Sequence, residues 1–466
     1  MKRVAVIIGM LVVATVLYER PDRLIRIASG SVSQIICSKT FVSGLDPAEI
    51  YAQDLRPEAG MGLVDWGLQY DVDRARKQVR TTVFGMFESR AIYREGFGCA
   101  LEFAATSAVA TGDPPANPDN ASSLLPDIAG PEQVVASDAA LMRTLDQAFA
   151  EYPSGPRRWT QAVVIVHGGR VIAERYAPGY GVDTPLLSHS IAKSVINALV
   201  GILVRQGKLS VSGSVPAPSW HQEQGDPRAN VSIDELLRMD SGLPLDEGVG
   251  PGLAQQMWFT EGDTAAFAEH AQLATAPGTA WAYGNLGYAL LSRAVRKAIG
   301  GTPHDIAAFA QRELFAPLGM RHALIEFDGA GTPSGSNAMF ATARDWARFG
   351  MLYLNDGIAG GRRILPEGWV VYSTRPTLNT GYGAGFWLNN VSTPIPTWGA
   401  PWGMPGVPRD TFFGRGYLGQ YLVIVPSENL VVARFGVSHG PGGDIKGTGA
   451  LAHDVIAALH ARAASR

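Results

Sequence analysis

Lysine is what this chain has least of among its charged residues. It occurs only at Lys2, Lys39, Lys77, Lys193, Lys208, Lys297 and Lys446, so arginine carries most of the positive charge. Charged residues make up 17% of the 466 and the formal net charge is -3. No charge bias of that size points to nucleic acid or to an anionic surface. The 9 histidines show no His-Glu-x-x-His or other ligand spacing, so no metal centre and no cofactor is expected. There are 2 cysteines, Cys37 and Cys99, too few for a disulfide scaffold. In an oxidising compartment they could form one bridge; the other reading is two unrelated buried thiols. Internal repeats and long low-complexity tracts are lacking too.

Apolar residues are not lacking. At 46% hydrophobic, the chain can bury a substantial core, which excludes global disorder. Its length suits one large domain or two to three ordinary ones. Lys2-Arg3 precede a mostly apolar, uncharged run from Val4 to Tyr18, the pattern of an export signal. The run is shorter than the roughly 20 residues of an ordinary spanning helix. Glu19-Arg20-Pro21-Asp22-Arg23 follow where a cleavage site would want small residues. Residues 1–20 therefore read as an uncleaved anchor rather than a cleaved peptide. The expected location is the inner membrane, with the catalytic part in the periplasm or outside the cell.

Residues 21–154 read as an N-terminal extension and linker. Thr81 to Phe103 alternates like strands, and Ala110 to Asn120 is rich in Pro, Asp and Asn. From residue 155 the texture changes. Gln161–Val166 and Val171–Tyr176 are apolar strands around His167-Gly168-Gly169-Arg170, which reads as a hairpin rather than an oxyanion loop. A helix from Ser190 to Gln206 is apolar nearly all round and so is expected to be buried. Further helices are expected at Ile233–Met239, Thr264–Gln272, Leu286–Ile299 and Thr342–Leu354. Strands Tyr421–Val425 and Leu430–Phe435 and a last helix Gly449–Ala464 close the chain. Strands at both ends around a helical middle predict an α+β domain over 155–466.

The chemistry concentrates on Ser190-Ile191-Ala192-Lys193. Residues three apart share a helix face, and Lys193 is the only lysine inside a strongly apolar helix. Burying an ammonium disfavours its charge, and a free amine beside a hydroxyl is a general base for a nucleophile. The alternative is a lysine that snorkels to the surface. Tyr283-Gly284-Asn285 stands before the helix from Leu286. Tyr283 could share the proton transfer, and Asn285 could bind Lys193 and the substrate; the alternative is a turn with Asn285 as N-cap. Tyr353-Leu354-Asn355 repeats the string but ends an amphipathic helix, where Asn suits a turn. Gly436-Val437-Ser438-His439-Gly440 matches a nucleophile elbow, yet Pro441 follows where a helix is needed, so a strand-end loop is expected.

These motifs, in this order, resemble the serine β-lactamase and penicillin-binding-protein superfamily over about residues 155–460. The likeness is strongest to the class C β-lactamase-related branch, with its 6-aminohexanoate-dimer hydrolases and family VIII esterases. Leu236-Leu237-Arg238-Met239-Asp240-Ser241-Gly242-Leu243, Pro317-Leu318-Gly319-Met320 and Ala343-Arg344-Asp345-Trp346 also resemble segments of that branch. The resemblance implies a β-lactamase/transpeptidase-like antiparallel sheet flanked by helices, with a mostly helical subdomain. It implies Ser190, Lys193 and Tyr283 as catalytic residues. Asn285, Gly416 and Tyr417 would bind substrate or its oxyanion, with the Tyr417 N–H completing the hole made by Ser190. Where the family carries Lys-Thr-Gly, this chain has Gly416-Tyr417-Leu418-Gly419; Lys446-Gly447-Thr448-Gly449 is not that motif. Strong β-lactamase activity is therefore not expected. Trp281, Tyr382 and Trp387 are candidate pocket residues. The expected reaction is hydrolysis of an amide or ester in a small molecule or short peptide. The alternatives are a cell-wall D-amino-acid peptidase or esterase on the same site, or a non-catalytic peptidoglycan-binding envelope protein.

Overall fold

The computed structural model describes residues 21–103, 123–222, 224–247, 252–390 and 403–464. The expected anchor at 1–20 and the linker at 110–120 lie outside the described residues. Among the described residues no helix is long and apolar enough to cross a membrane.

The chain begins with helix α1, Pro21–Phe41, laid across a four-stranded antiparallel sheet. Its strands are β1 Leu68–Asp73, β2 Gln78–Val83, β3 Met86–Arg94 and β4 Gly98–Leu101, in sequential order. The alternation read from Thr81 onward is this sheet; β1 lies just before it. Val32, Ile36, Val79, Ala91 and Leu101 make its small core. A Cys37–Cys99 disulfide ties α1 to β4.

Helix α2, Ala139–Phe149, opens the second unit. Leu125, Ile128, Leu141 and Leu145 sit in the same core as the main sheet, so residues 123–154 pack with the 155–466 unit rather than with α1 and its sheet. Strands β5 Thr160–His167 and β6 Arg170–Tyr176 form the expected hairpin. Gly168 and Gly169 both have positive φ, 57° and 79°, which a two-residue turn of this hand requires. Next come α3 Ala192–Arg205, α4 Leu286–Ile299 and α5 Ala343–Leu354. The last stretch holds β7 Trp387–Leu388, β8 Phe412–Gly416, β9 Gln420–Val425, β10 Leu430–Gly436 and α6 Ile445–Ala464. The six strands run β7-β8-β9-β10-β5-β6, all antiparallel, so the two ends of the unit meet where β10 pairs β5 from Leu430↔His167 to Gly436↔Thr160. β9 and β10 are buried on both faces, as continuous apolar runs predict. α5 packs on β9, β10 and β5, and α6 packs on α2.

α3 is buried from Ala192 to Leu203. Its Gly201 lets Trp369 approach, since a Cβ there would lie 2.7 Å from Trp369 Cε2. Five helices differ from expectation at an end: α3 is Ala192–Arg205 rather than Ser190–Gln206, and α5 begins at Ala343 with Thr342 as its N-cap. Met239 leaves the 233 helix in a left-handed conformation, the 264 helix stops at Glu269, and α6 starts four residues early. Lys446-Gly447-Thr448-Gly449 is thus the first turn of a helix.

Candidate active site

The turn that carries Ser190 is built by backbone constraint. Ser190 lies in a 3-10 turn, His189–Ile191, that runs directly into α3. His189 holds φ at 44°, a costly conformation for a residue with a Cβ. Strand β8 passes close because it is glycine where it crosses. A Cβ at Gly416 would lie 2.1 Å from Ser188 O, and one at Gly414 would lie 3.1 Å from Ile191 Cγ2. The residue after Gly416 is Tyr417, whose ring meets His189 edge-on at 5.8 Å.

Lys193 follows Ser190 by three residues and is 1% exposed. Its Nζ bonds Ser190 Oγ at 2.8 Å, Asn285 Oδ1 at 2.6 Å and Ser336 O at 2.8 Å. Burial pushes its pKa down to about 8, against the pull of Glu247 and Asp246. A neutral amine keeps two N–H groups and one lone pair. Asn285 Oδ1 and Ser336 O can only accept, so they take the two hydrogens. The lone pair is left for the one partner that owns a proton, the Ser190 hydroxyl. In its neutral form the amine is thus placed to accept the Ser190 proton.

Asn285 is fully buried and is not a side-chain N-cap of α4. Its Nδ2 donates to Asp246 Oδ1 at 3.0 Å and to Glu247 Oε1 at 2.7 Å. Both amide hydrogens are spent on carboxylates, which turns Oδ1 toward Lys193. Asp246 caps α4 instead, accepting from Asn285 N at 2.6 Å and Leu286 N at 2.7 Å. Burial and the neighbouring Glu247 raise the pKa of Asp246. Asp246, Glu247 and Ser336 were missed in the sequence. The first two stand three and four residues past Leu243, where the family-like segment ends.

Tyr283 is buried beside Ser190, within hydrogen-bonding reach of its hydroxyl. Burial, then the Glu247 charge, pushes the phenol far above its ordinary pKa, so it stays protonated at neutral pH. Its ring stacks on Trp387 at 5.2 Å and meets Tyr382 edge-on at 6.0 Å. Tyr382 and Trp387 are buried as packing behind Tyr283 rather than as an open pocket wall. Of the three candidate pocket aromatics only Trp281 is half-exposed.

The extension reaches Tyr417 and His439, which the sequence did not suggest. Tyr417 Oη donates to Glu58 Oε2 at 2.6 Å. His439 Nε2 donates to Gln53 O at 2.7 Å, and its Nδ1 lies 3.7 Å from Glu58 Oε1. Lys39 pairs with Asp54 in a buried contact. Burial, then the charges of Lys39 and Lys193, drives His189 down to about 3, so its imidazole is neutral.

The rival serine has a structural task. Ser438 is buried, accepts from Arg434 Nη2 at 2.8 Å and donates to Arg158 O at 2.5 Å. Tyr353 likewise points into the core, donating to Asn197 Oδ1 at 2.6 Å. Among the described residues no group of His, Cys, Asp and Glu could hold a metal.

A beta-lactamase family model matches residues 145–454. The chain is 25% identical over 333 residues to the 6-aminohexanoate-dimer hydrolase of Paenarthrobacter ureafaciens, covering 67% of this chain and 82% of that one. A penicillin-binding protein homologue from Caulobacter crescentus superposes with a TM-score of 0.53 at 18% identity, covering 72% of this chain and 100% of its own. A family VIII carboxylesterase gives a TM-score of 0.53 at 16% identity, covering 70% and 99%. These two likenesses show the β-lactamase/transpeptidase-like fold.

Proposed function

Because the chain belongs to the beta-lactamase family of serine hydrolases, we propose that it hydrolyses a short linear amide or an ester through an acyl-enzyme on Ser190. The observation that carries this reading is the buried Lys193 with two acceptor-only partners and one hydroxyl partner. Ser190 Oγ gives its proton to the Lys193 amine as Oγ bonds the carbonyl carbon. The carbonyl oxygen becomes an oxyanion, stabilised by the backbone N–H groups of Ser190 and Tyr417. The tetrahedral centre collapses, the C–N or C–O bond breaks, and neutral Tyr283 protonates the leaving group. The Lys193 ammonium returns a proton to Tyr283. Water then attacks the ester carbonyl, giving its proton to the Lys193 amine, and the acid leaves as Ser190 is reprotonated. Asp246 and Glu247 act through Asn285: they fix the amide so that its oxygen faces Lys193.

The likeness to a 6-aminohexanoate-dimer hydrolase supports a linear amide among the possible substrates. No lysine stands where the family's Lys-Thr-Gly would, which argues against efficient β-lactam turnover. The Cys37–Cys99 bridge and the apolar run Val4–Tyr18 after Lys2-Arg3 support export, with residues 1–20 as anchor.

A fluorophosphonate probe followed by peptide mapping tests the reading. Label on the peptide carrying Ser190, lost in Ser190→Ala, is expected. Label on Ser438, or none at all, would overturn it. Turnover of p-nitrophenyl esters, short linear amides, a β-lactam and D-Ala-D-Ala peptides then ranks the substrate classes.

A further inference from the structure

The extension exposes a cluster of large apolar side chains. Leu63 is 79% exposed, Trp66 81%, Met86 61% and Phe84 38%. Trp66 and Phe84 touch, with ring centroids 4.5 Å apart, and Phe84 N donates to Gly67 O at 2.7 Å. Trp66 and Phe84 thus join the 61–67 turns to the tip of the β2–β3 hairpin, and Leu63 and Met86 stand exposed on the same two segments. Single exposed apolar residues are ordinary, but a contiguous aromatic group marks a contact surface.

The hairpin tip is also disfavoured locally. Val83 pairs with Met86, leaving Phe84 and Gly85 as the loop, with φ of 55° and 68°. Loops of this hand prefer Asn, Asp or Gly at the first position, and a Phe there costs on the order of 1 kcal/mol. Phe87 holds φ at 50° as well. A large ring is thus kept outside at a position where backbone physics favours a small polar residue.

The place of the patch identifies what covers it. Arg26 lies over the Phe87 ring at 5.6 Å, and Ser29 Oγ lies 3.0 Å from Ser89 Oγ. The tip is therefore at the N-terminal end of α1. Arg26 is about 7.5 Å along the helix axis from Pro21, at 1.5 Å per residue. The chain before α1 carries Lys2-Arg3 and the apolar run Val4–Tyr18. The described chain therefore begins, at Pro21, close to the end of the molecule that carries the patch. Trp, Phe, Leu and Met are the residues that settle at a membrane interface.

We propose that Leu63, Trp66, Phe84 and Met86 seat the extension on the lipid bilayer that residues 1–20 enter. The proposal rests on the anchor reading of that segment. It gives the extension a second point of attachment, so that the hydrolase unit is held in a set orientation over the membrane instead of swinging on a single tether.

The test uses the full chain carrying Met86→Cys with a nitroxide on the new thiol; Cys37 and Cys99 are joined and do not compete. The protein is reconstituted in phosphatidylethanolamine/phosphatidylglycerol vesicles and recovered by flotation. Collision with oxygen should exceed collision with a nickel chelate at position 86. The reverse should hold for Ala75→Cys, in the turn at the opposite end of β2. A chain that floats while its Met86 label favours nickel keeps the anchor and overturns the patch. A chain that does not float overturns both. A label at 86 that becomes immobile without lipid, as protein concentration rises, makes the patch a contact between copies and overturns the proposal.

Discussion

The hydrolase unit and the extension are stabilised in different ways. The first buries whole strands and a helix apolar nearly all round, so its stability comes mainly from area removed from water. The second has a thin core around Val32, Ile36, Val79, Ala91 and Leu101 and adds a covalent staple. Small units with little to bury need such staples. Polar contacts join the two. Glu326, buried in the hydrolase unit, accepts from Cys99 N at 2.7 Å, Ser38 Oγ at 2.8 Å and Gln34 Nε2 at 3.1 Å, all of the extension. Arg94 Nη2 donates to Phe327 O at 2.6 Å. A carboxylate buried in one unit and satisfied by the other binds their folding together. The hydrolase unit holds the candidate site, and the extension completes the hydrogen bonding of Glu326 and of Tyr417.

The largest expected effect breaks the comparison on the hydrolase side. Lys193→Ala should slow acylation about 10²- to 10⁴-fold, the usual worth of a positioned base, while circular dichroism shows both units folded. Near-normal acylation would remove Lys193 from the mechanism. In the unsubstituted protein the acylation rate should rise as pH passes through about 8. The folded-state pKa is lowered, the free amine is the active form, and it accumulates above that pH. A rate that falls over that range would mean the ammonium is the working species.

Next in size is the staple. Cys37→Ser with Cys99→Ser opens a link between residues 62 apart in sequence. The chain-entropy relation puts the cost at about 4 kcal/mol. Calorimetry should show an early transition for the extension, ahead of the hydrolase unit. A single unchanged transition would show that burial alone holds the extension. Glu326→Ala should follow, at about 1 to 3 kcal/mol, since it leaves Cys99 N–H and the Ser38 hydroxyl without their acceptor. That loss should appear in both transitions, because the contact spans the two units.

The same contrast explains what the sequence could tell. The hydrolase unit was legible because its signals are local or periodic. The hairpin glycines, the nearly all-apolar α3 and the short spacing from Ser190 to Lys193 can each be read along the chain. The unit's other contributions needed the fold. Ser336 reaches Lys193 through a backbone carbonyl, which any residue could supply. Asp246 and Glu247 act through Asn285, nearly forty residues away, and no periodicity records that. Tyr382 and Trp387 looked like pocket residues because aromatic content cannot separate packing from lining. The extension's reach to Tyr417 was invisible, since Glu58 meets it across 359 positions.

That contact gives the smallest effect and the sharpest test of the division of labour. Tyr417 is half outside, so its hydrogen bond to Glu58 is worth only about 1 kcal/mol of positioning. Leu418, the next residue, has φ of 58°, so the turn after Gly416 is strained and gains from an outside hold. The Tyr417 backbone N–H is proposed to face the oxyanion, a charge present only in the transition state. Loosening the turn should therefore lower kcat with KM unchanged. Glu58→Ala should cost about fivefold in kcat, a factor that corresponds to about 1 kcal/mol. Glu58→Gln keeps an acceptor for the phenol and should recover most of it, and Tyr417→Phe should match Glu58→Ala. A rise in KM at constant kcat would instead mean that Glu58 touches the substrate, and the extension would then be part of the binding site rather than its support.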